Sequence, residues 1–391
     1  MNVIGLMSGT SADGVDAALV RITGASTHPR IHPIGFSSLS YGRELQRRIL
    51  QLSSNGHVTD ICHMNAYLGE LFAKAALRVA KKAAVPLSDI DLIGSHGQTI
   101  HHLPAGIREP GVGAVRSTLQ IADAAVIAER TGIPTIGNFR SRDMAAGGEG
   151  APLVPYVHAA VFGHARRGRL VVNIGGISNV TYLPPAGDVR SLSAFDTGPG
   201  NMVMDALVQR STAGLLSYDA GGRRAFRGTI DRRLLAELMD HPFISRRPPK
   251  STGREEFGDS FVDKLSKRVH KDGLALEDVL ATCAAWTGEA IGSARRWIAG
   301  PLDEVIVGGG GVHNRAVMRH LRDVFKGTPV RRFDDLGWDS KAFESTAFAV
   351  LAHQTVHGHC TNVPQVTGAR SAVLLGMLAP GRFGRRHPWV R

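Results

Sequence analysis

The chain has 391 residues, of which 43% are hydrophobic and 20% charged, and its formal net charge is +12. This length accommodates two or three domains, and the composition is that of a globular chain rather than a disordered or membrane one. No run reaches the ~18 apolar residues of a membrane span, and the first residues lack the basic and apolar regions of a secretory signal. With three widely spaced cysteines, we expect a cytoplasmic protein with no membrane partner.

The positive charge first suggests nucleic-acid binding. The basic residues are scattered in pairs such as Arg47-Arg48 and Arg166-Arg167, without aromatic residues between them. The one dense basic run, RFGRRHPWVR at 382–391, forms the C-terminal tail. A nucleic-acid-binding surface combines clustered charge with a recognisable binding motif, so we predict no nucleic-acid partner.

Strands and helices alternate in the first third of the chain. Asn2–Met7 and Val15–Ile22 are predicted strands of a hairpin, because Asp13-Gly14 is a hairpin signal between them. Apolar spacing then predicts a helix over 60–84, capped by Thr59 or Asp60. A strand at 91–94, a second helix at 117–131 and a strand at 133–136 follow.

A polar, glycine-rich loop at 138–152, NFRSRDMAAGGEGAP, precedes a second strand–turn–strand pattern around NIGGISN. The later predictions are strands at 170–172, 180–183, 193–195 and 304–307, and helices from 202, over 259–271, 276–299, 341–356 and 369–379. Two hairpins with small-residue turns, about 165 residues apart, predict an α/β fold of two related domains facing one cleft. Ligands of such folds bind at the carboxyl ends of strands.

The turn SGTSADG combines small residues with hydroxyl groups. Phosphate oxygens require close approach of backbone N–H groups, which a Cβ would obstruct. Gly9, Thr10, Ser11 and Gly14 therefore indicate a phosphate cradle, and an ordinary tight turn is the alternative. The patterns GxxxxGK[ST] and GxGxxG are absent, which excludes a P-loop and weakens a dinucleotide fold.

Asp196 follows a predicted strand and precedes Gly198, Gly200 and the start of a helix. A carboxylate beside a bound phosphate could take a proton from a hydroxyl group or a water molecule, as kinases require. The equally favoured alternative is that Asp196 caps the helix.

Three further features are ambiguous. The glycines of VGGGGVHN at 307–314 suit the face of a nucleoside, or form a flexible loop. His96, His101 and His102 lack ligands at metal spacing, which favours polar contacts over a metal site. Glu344 lies among apolar residues of a helix, which indicates a function unless it faces solvent.

These motifs together resemble the anhydro-N-acetylmuramic acid kinase family. The resemblance rests on GLMSGTSADGVDAALV, GSHGQTIHH, AAGGEGAPLVP, NIGGISNVTYL, FDTGPGNMVMDA, PPKSTGREEF, VGGGGVHN and NVPQVTGARSAVLLG, which follow one another along nearly the whole chain. It implies two duplicated ribonuclease-H-like domains of the actin/hexokinase type around a nucleotide cleft. The expected bounds are 1–132 with a returning C-terminal helix at 368–391, and 133–367.

The resemblance implies a kinase that converts 1,6-anhydro-N-acetylmuramic acid, ATP and water to the sugar 6-phosphate and ADP, in peptidoglycan recycling and amino-sugar catabolism. Asp196 would activate the water. The implied ATP-binding residues are Gly9, Thr10, Ser11, Ala12, Asp13, Gly14, Val15, Asp16, Gly175, Gly176, Gly309, Gly310, Gly311 and Asn314. The implied sugar-binding residues are His96, Gln98, Gly147, Gly148 and Glu344. A homodimer is also a family-level expectation.

Mg²⁺ is the expected metal cofactor. Many members of the wider superfamily carry an aspartate just before the first phosphate turn, where this chain has Met7 or Ser8. Asp13 or Asp16 would then hold Mg²⁺ through water. Two other hypotheses are an actin-like or chaperone-like ATPase and a sugar sensor without turnover; ATP hydrolysis independent of sugar would favour the first, and a dispensable Asp196 the second.

Overall fold

The computed structural model describes residues 1–187 and 189–382. The chain forms two compact units, one built from Met1–Val161 and the segment from Ala342 onward, the other from Phe162–Lys341. The second unit is therefore one continuous segment, whereas the first is built from both ends of the chain.

The first unit is a sheet covered by helices. Its strands are β1 (Asn2–Ser8), β2 (Gly14–Thr23), β3 (Arg30–Ser40), β4 (Leu92–Glu109), β5 (Gly113–Ile121), β6 (Thr135–Gly137) and, near the end of the chain, β12 (Met377–Ala379). Its helices are α1 (Gly42–Asn55), α2 (Val58–Lys82), α3 (Ala124–Thr131), α4 (Phe139–Ala145), α5 (Pro155–Phe162, ending at the unit boundary), α14 (Phe343–Val356) and α15 (Pro364–Thr367).

The strand order of the first sheet is β12-β6-β4-β1-β2-β3, and β5 pairs with the outer part of β4. Strands β1, β2 and β3 form an antiparallel meander, and β4 and β6 continue the sheet in parallel with β1. Buried apolar residues of β1 and β2 pack against α2, with Phe72 and Leu68 fully buried there.

Helix α14 lies unusually close to the other face of this sheet. A Cβ on Gly5 or Gly94 would overlap the carbonyl oxygens of Ser345 and Phe348 in α14. Glycine at these two strand positions therefore permits direct backbone packing of the helix on β1 and β4, since a side chain would push it outward.

The second unit contains the other elements. Its strands are β7 (Arg169–Ile174), β8 (Ile177–Leu183), β9 (Ser193–Pro199), β10 (Glu304–Gly308) and β11 (Val330–Arg332). Its helices are α6 (Met202–Ser211), α7 (Arg223–Arg227), α8 (Arg232–Met239), α9 (Pro242–Ser245), α10 (Arg254–Phe257), α11 (Asp259–Lys271), α12 (Leu276–Ser293) and α13 (Arg315–Val324).

The second sheet repeats the topology of the first. Its order is β11-β10-β7-β8-β9, with an antiparallel meander β7-β8-β9 and the parallel strands β10 and β11 beyond β7. Both sheets thus place the first strand of the meander beside two later parallel strands. This is the strand order of the ribonuclease-H-like fold, so the predicted duplicated α/β architecture is confirmed.

Two predicted helices are wrong. The segment predicted as helix over 117–131 begins as strand β5, and helix α3 starts only at Ala124. The first residues of that segment pair with β4, so that tertiary strand pairing overrides the local spacing. The segment 369–379 contains no helix; its end is strand β12, antiparallel to β6, and Gly376 precedes it at a φ of 87°.

Smaller differences concern caps and boundaries. Helix α2 begins after His57, without a side-chain cap from Thr59 or Asp60. The unit boundaries lie at 161/162 and 341/342 rather than the predicted 132/133 and 367/368, because β6 pairs with β4 and α14 packs on β1 within the first unit. Most of the basic tail lies outside the described residues.

A helix that crosses a membrane must be both long and apolar. Among the described residues, no helix meets both requirements.

Candidate active site

The β1–β2 turn of the first unit contains two glycines in different surroundings. A Cβ on Gly9 would meet no heavy atom within 4 Å. A Cβ on Gly14 would lie 2.5 Å from the carbonyl oxygen of Leu39 in β3. Packing therefore explains Gly14, whereas Gly9 leaves open space in which a ligand could approach the backbone.

Among the other residues of this turn, some side chains are exposed to solvent and others are buried. Thr10, Ser11 and Asp13 are exposed, and the Ser11 hydroxyl donates to Asp13 Oδ1 over 3.0 Å. The side chains of Ala12 and Val15 lie in the hydrophobic core. These two predicted ATP-binding residues could therefore contact a nucleotide only through their backbone. Asp16, the last residue of the set, is half-buried on β2.

Gln98 fixes this turn to β4. Its side chain is 1% exposed. The Ser8 hydroxyl donates to Gln98 Oε1 over 2.7 Å, and Gln98 Nε2 donates to the Gly9 carbonyl over 3.1 Å. The side-chain amide of Gln98, which is predicted to contact the sugar, is therefore hydrogen-bonded to Ser8 and Gly9, where β1 ends and the turn begins.

A polar cluster lies on β4, α4 and α14. His96 packs against Phe348, with ring centroids 4.7 Å apart, and its Nε2 accepts from Arg140 Nε over 3.0 Å. Burial and the Arg140 charge lower the pKa of His96 to about 3, so its imidazole is neutral at physiological pH. Glu344 is exposed at the start of α14, between the buried Phe343 and Ser345, so its position on the helix does not by itself indicate a function. Desolvation by neighbouring protein atoms still raises the pKa of its carboxyl; Arg140 opposes this rise and Asp16 adds to it.

Asp143 organises the glycine-rich loop after α4. This fully buried carboxylate accepts from the Gly150 N–H over 2.8 Å, and also from Asn362 and Thr367. A Cβ on Gly148 would overlap Asp143. The loop containing Gly147 and Gly148 is thus shaped by a buried charge with three hydrogen-bond partners, as a buried carboxylate requires.

The β7–β8 turn of the second unit is the counterpart of the first turn. The Gly175 carbonyl accepts from the Asn201 N–H, and the Gly176 carbonyl accepts from the N–H groups of Gly200 and Met202. A Cβ on Gly175 or Gly176 would have its nearest contact at 3.6 Å. The turn is therefore bonded to the start of α6 and remains accessible to a ligand.

The three glycines after β10, Gly309 to Gly311, also have different roles. A Cβ on Gly309 would lie 2.5 Å from Asn173 Oδ1, and one on Gly311 would overlap Ile174. A Cβ on Gly310 would have its nearest contact at 3.9 Å. Among the three predicted nucleotide-binding glycines, only Gly310 is left unexplained by packing.

Asn314 begins the following helix, α13. Its Oδ1 accepts from the N–H groups of Ala316 and Val317, over 3.0 and 3.2 Å. The side chain is 9% exposed. Helix capping therefore accounts for the oxygen of this predicted nucleotide-binding residue.

Asp196 lies within β9 and does not cap α6, whose N-cap is Asn201. Its Oδ2 accepts from the Thr252 N–H over 2.9 Å, which leaves Oδ1 without a described hydrogen bond. Burial raises the pKa of Asp196 to about 6, while the Thr252 N–H and Lys250 oppose the rise and Glu255 adds to it. A carboxyl with this pKa is ionised near neutral pH and basic enough to take a proton from water.

Comparison with known proteins places these features in one family. The family model described as anhydro-N-acetylmuramic acid kinase matches residues 1–381. The chain belongs to the anhydro-N-acetylmuramic acid kinase family. A relative with that name from Caldanaerobacter subterraneus subsp. tengcongensis is 45% identical over 382 residues, 96% of each chain. One from Bacillus cereus is 44% identical over 383 residues, 96% of this chain and 98% of its own.

Membership in this kinase family directs attention to buried charges that the sequence analysis did not single out. Arg140, Asp143 and Lys250 belong to motifs quoted for the resemblance, or lie beside them, yet only the fold shows their partners. Asp205 of α6 is a fourth: burial raises its pKa to about 7, and nearby Asp219 adds to the rise. For Asp205, in the apolar run MVMDALV, a charged residue within an apolar stretch was the available signal, as it was for Glu344. Arg140, Asp143 and Lys250 lie in polar segments that gave no such signal.

Proposed function

We propose that this chain phosphorylates 1,6-anhydro-N-acetylmuramic acid with ATP and opens its anhydro bridge with water, giving N-acetylmuramic acid 6-phosphate and ADP. The observation that carries this proposal is the match to the kinase family over residues 1–381. The half-buried carboxylate of Asp196 and the two small-residue turns supply the chemistry that the reaction requires. This activity would recover a cell-wall sugar in the cytoplasm.

Asp196 acts as the general base. It accepts a proton from water as the water oxygen bonds to C1 of the sugar. The C1–O6 bond breaks, and O6 bonds to the γ-phosphorus while the bond to the β,γ-bridging oxygen breaks. ADP leaves with that electron pair. The Thr252 N–H holds one carboxylate oxygen, so the other is free to orient the water.

The small-residue turns bind the phosphates of ATP. Backbone N–H groups around Gly9 and Gly175 provide neutral donors, and the Thr10 hydroxyl adds another. The Ser11 hydroxyl donates to Asp13 Oδ1 and would serve a phosphate only by turning away from that carboxylate. Gly310, whose Cβ position is open, would approach the nucleoside. The space that the structure leaves beside these backbone positions supports the assignments.

Mg²⁺ would neutralise charge on the transferred phosphate. Among the described residues there is no group of three or more His, Cys, Asp and Glu arranged to hold a metal ion. Mg²⁺ typically keeps several waters and uses one or two carboxylates with substrate phosphates. The exposed Asp13 and the half-buried Asp16 fit that requirement.

The sugar is bound by the first unit's polar cluster and loop. Glu344 and the loop at Gly147 and Gly148 present a carboxylate and backbone groups, and neutral His96 holds Arg140 in place. Hydroxyl-rich ligands require such fixed donors and acceptors.

The primary test is ADP release from ATP and Mg²⁺ with the anhydro sugar, with N-acetylmuramic acid, and without sugar. We expect release only with the anhydro sugar, and a product mass that has gained both phosphate and water. Sugar-independent ATP hydrolysis would instead favour an actin-like or chaperone-like ATPase. Binding of the sugar without any turnover would favour the sensor hypothesis.

Asp196→Asn tests the base. This change keeps the size of the side chain but removes its basicity, so we expect kcat to fall by at least ~10²-fold, the lower end of the usual contribution of general base catalysis. ATP affinity, measured by calorimetry, should stay within a few-fold. Turnover close to that of the unchanged protein would end the assignment of Asp196.

A further inference from the structure

The segment PPKST at 248–252 runs alongside the base. The Asp196 N–H donates to the Lys250 carbonyl over 3.1 Å, and the Thr252 N–H donates back to Asp196 Oδ2 over 2.9 Å. One residue of β9 is therefore bonded through its backbone and its side chain to two residues of this segment. Such paired contacts fix both the position and the rotation of a carboxylate.

The buried side chain of Lys250 fixes the segment to α9. The residue is only 8% exposed. Its Nζ donates to the carbonyls of Phe243 and Ile244 in α9, over 2.9 and 3.1 Å, and lies 4.5 Å from the centre of the Phe243 ring. A lysine is rarely buried unless its ammonium group is paired or hydrogen-bonded. Neither carbonyl carries a full charge, so the positive charge of Lys250 is not neutralised by these contacts.

We propose that Lys250 is a positioning residue for the reaction, which clamps the carboxylate of Asp196 through the 250–252 backbone and holds it ionised with its own buried charge. The proposal rests on the proposed role of Asp196 as the base. It assigns a function to the PPKST segment, which the phosphate turns and the sugar-binding cluster do not use.

The charges around the pair determine the sign of the effect. Glu255 of α10 raises the pKa of Asp196, and Lys250 lowers it. Burial, Arg296 and Arg246 lower the pKa of Lys250 to about 8, while Asp196 and Glu256 oppose this fall. Lys250 is therefore mainly protonated across the pH range in which Asp196 titrates. Removing its charge must raise the pKa of the carboxyl.

The experiment measures kcat/KM for the anhydro sugar against pH, which reports groups of the free enzyme. For Lys250→Met and Lys250→Gln, we expect the acid limb to move up by about one pH unit, because the positive charge that opposes the rise in the pKa of Asp196 is lost. If the acid limb of the unchanged protein has its midpoint near pH 6, the ratio of kcat/KM at pH 6 to kcat/KM at pH 8 should be ~5-fold lower in these variants than in the unchanged protein. Lys250→Arg keeps the charge and should keep the limb.

Arg246→Met is the matched control. It removes one positive charge from the same region, where Arg246 is half-exposed and pairs with Glu256 at 3.7 Å, and its limb should not move. An unmoved limb in both neutral Lys250 variants, with kcat/KM lowered equally at all pH values, would overturn the proposal and leave Lys250 a purely structural residue. Equal shifts in the Lys250 and Arg246 variants would overturn it too.

A second measurement does not depend on turnover. The carboxyl carbon of Asp196, labelled with ¹³C and identified by its loss in Asp196→Asn, can be titrated by NMR in the resting protein. We expect its pKa to be higher in Lys250→Gln, and an unchanged pKa would refute the charge effect. If ADP release never depends on the sugar but this titration shifts as expected, the proposed function fails while the Lys250–Asp196 coupling stands.

Discussion

At the residue scale, the glycines of the candidate site separate into two kinds. Gly14, Gly309 and Gly311 are explained by neighbouring protein atoms that a Cβ would strike. A Cβ on Gly9 would meet no atom within 4 Å, and one on Gly310 would come no nearer than 3.9 Å to its neighbours. The sequence predicts all five as nucleotide contacts because it shows only the absence of a side chain. Which atoms lie above each glycine depends on distant strands, and no local pattern encodes that.

Gln98 gives a prediction at this scale. Gln98→Leu removes the hydrogen bonds to Ser8 and Gly9 while it keeps a side chain of similar length. Because the freed turn loses its fixed position, we expect KM for ATP to rise roughly 10-fold, as for the loss of about one buried hydrogen bond. KM for the sugar should change less. Steady-state kinetics with each substrate varied in turn measures both.

Gln51→Leu is the comparison variant. Gln51 is exposed on α1, where its Oε1 accepts from Arg47, and its replacement should leave both constants unchanged. A rise in the sugar KM with an unchanged ATP KM in Gln98→Leu would contradict the turn-holding role. It would return Gln98 to the sugar site that the family resemblance implies.

At the element scale, the packing of α14 on the first sheet depends on two glycine residues. Gly94→Ala would place a methyl group against the Phe348 carbonyl and Ala352. Because overpacking against backbone cannot relax by a change of rotamer, we expect a loss of roughly 2–3 kcal/mol in the free energy of unfolding. Urea titration followed by circular dichroism measures it.

Gly9→Ala is the matched substitution. The added methyl group meets no protein atom, so stability should hold within about 0.5 kcal/mol. ATP affinity should fall, since the methyl group occupies the space left for a phosphate. If both variants lost stability equally, the distinction between packing glycines and ligand glycines would be wrong.

The sequence predicts most elements but fails where pairing is distant. Strands β1, β2, β7, β8 and β10 are signalled by local alternation and turn residues. Strand β12 is not, because Met377–Ala379 becomes a strand only by pairing with Thr135–Gly137, far away in the chain. The same holds for β5, whose partner strand β4 extends well beyond the predicted 91–94.

At the scale of the whole molecule, the duplication could be predicted from two similar turns, whereas the chain's route through the units could not. Helix α14 returns to the first unit because Gly5 and Gly94 accept it. Those glycines lie in ordinary strand patterns, and nothing in their spacing identifies a helix partner at 343–356. The boundary predicted at 367/368 therefore differs from the boundary between the units in the structure, which lies at 341/342.

This route predicts how fragments behave. The segment 162–341 contains a complete five-stranded sheet and its own buried core, so we expect it to unfold cooperatively when made alone. The segment 1–161 lacks α14 and β12, which leaves one face of its sheet uncovered. We expect it to aggregate or remain unfolded.

Thermal denaturation and proton NMR of the two fragments measure this difference. Adding a peptide that spans 342–382 to the 1–161 fragment provides the control, because it restores the missing elements. A 1–161 fragment that folded alone would show that the returning segment contributes little to the first unit.

The discontinuous first unit also has a consequence for synthesis on the ribosome. Its N-terminal strands leave the ribosome first but lack their covering helix until the entire segment 162–341 has been translated. At ~5–20 residues per second, that interval is roughly 10–40 s. The nascent chain therefore carries an incomplete apolar sheet while its second unit is already folding. A chaperone acting on this chain would find its binding surface there, on β1 and β4.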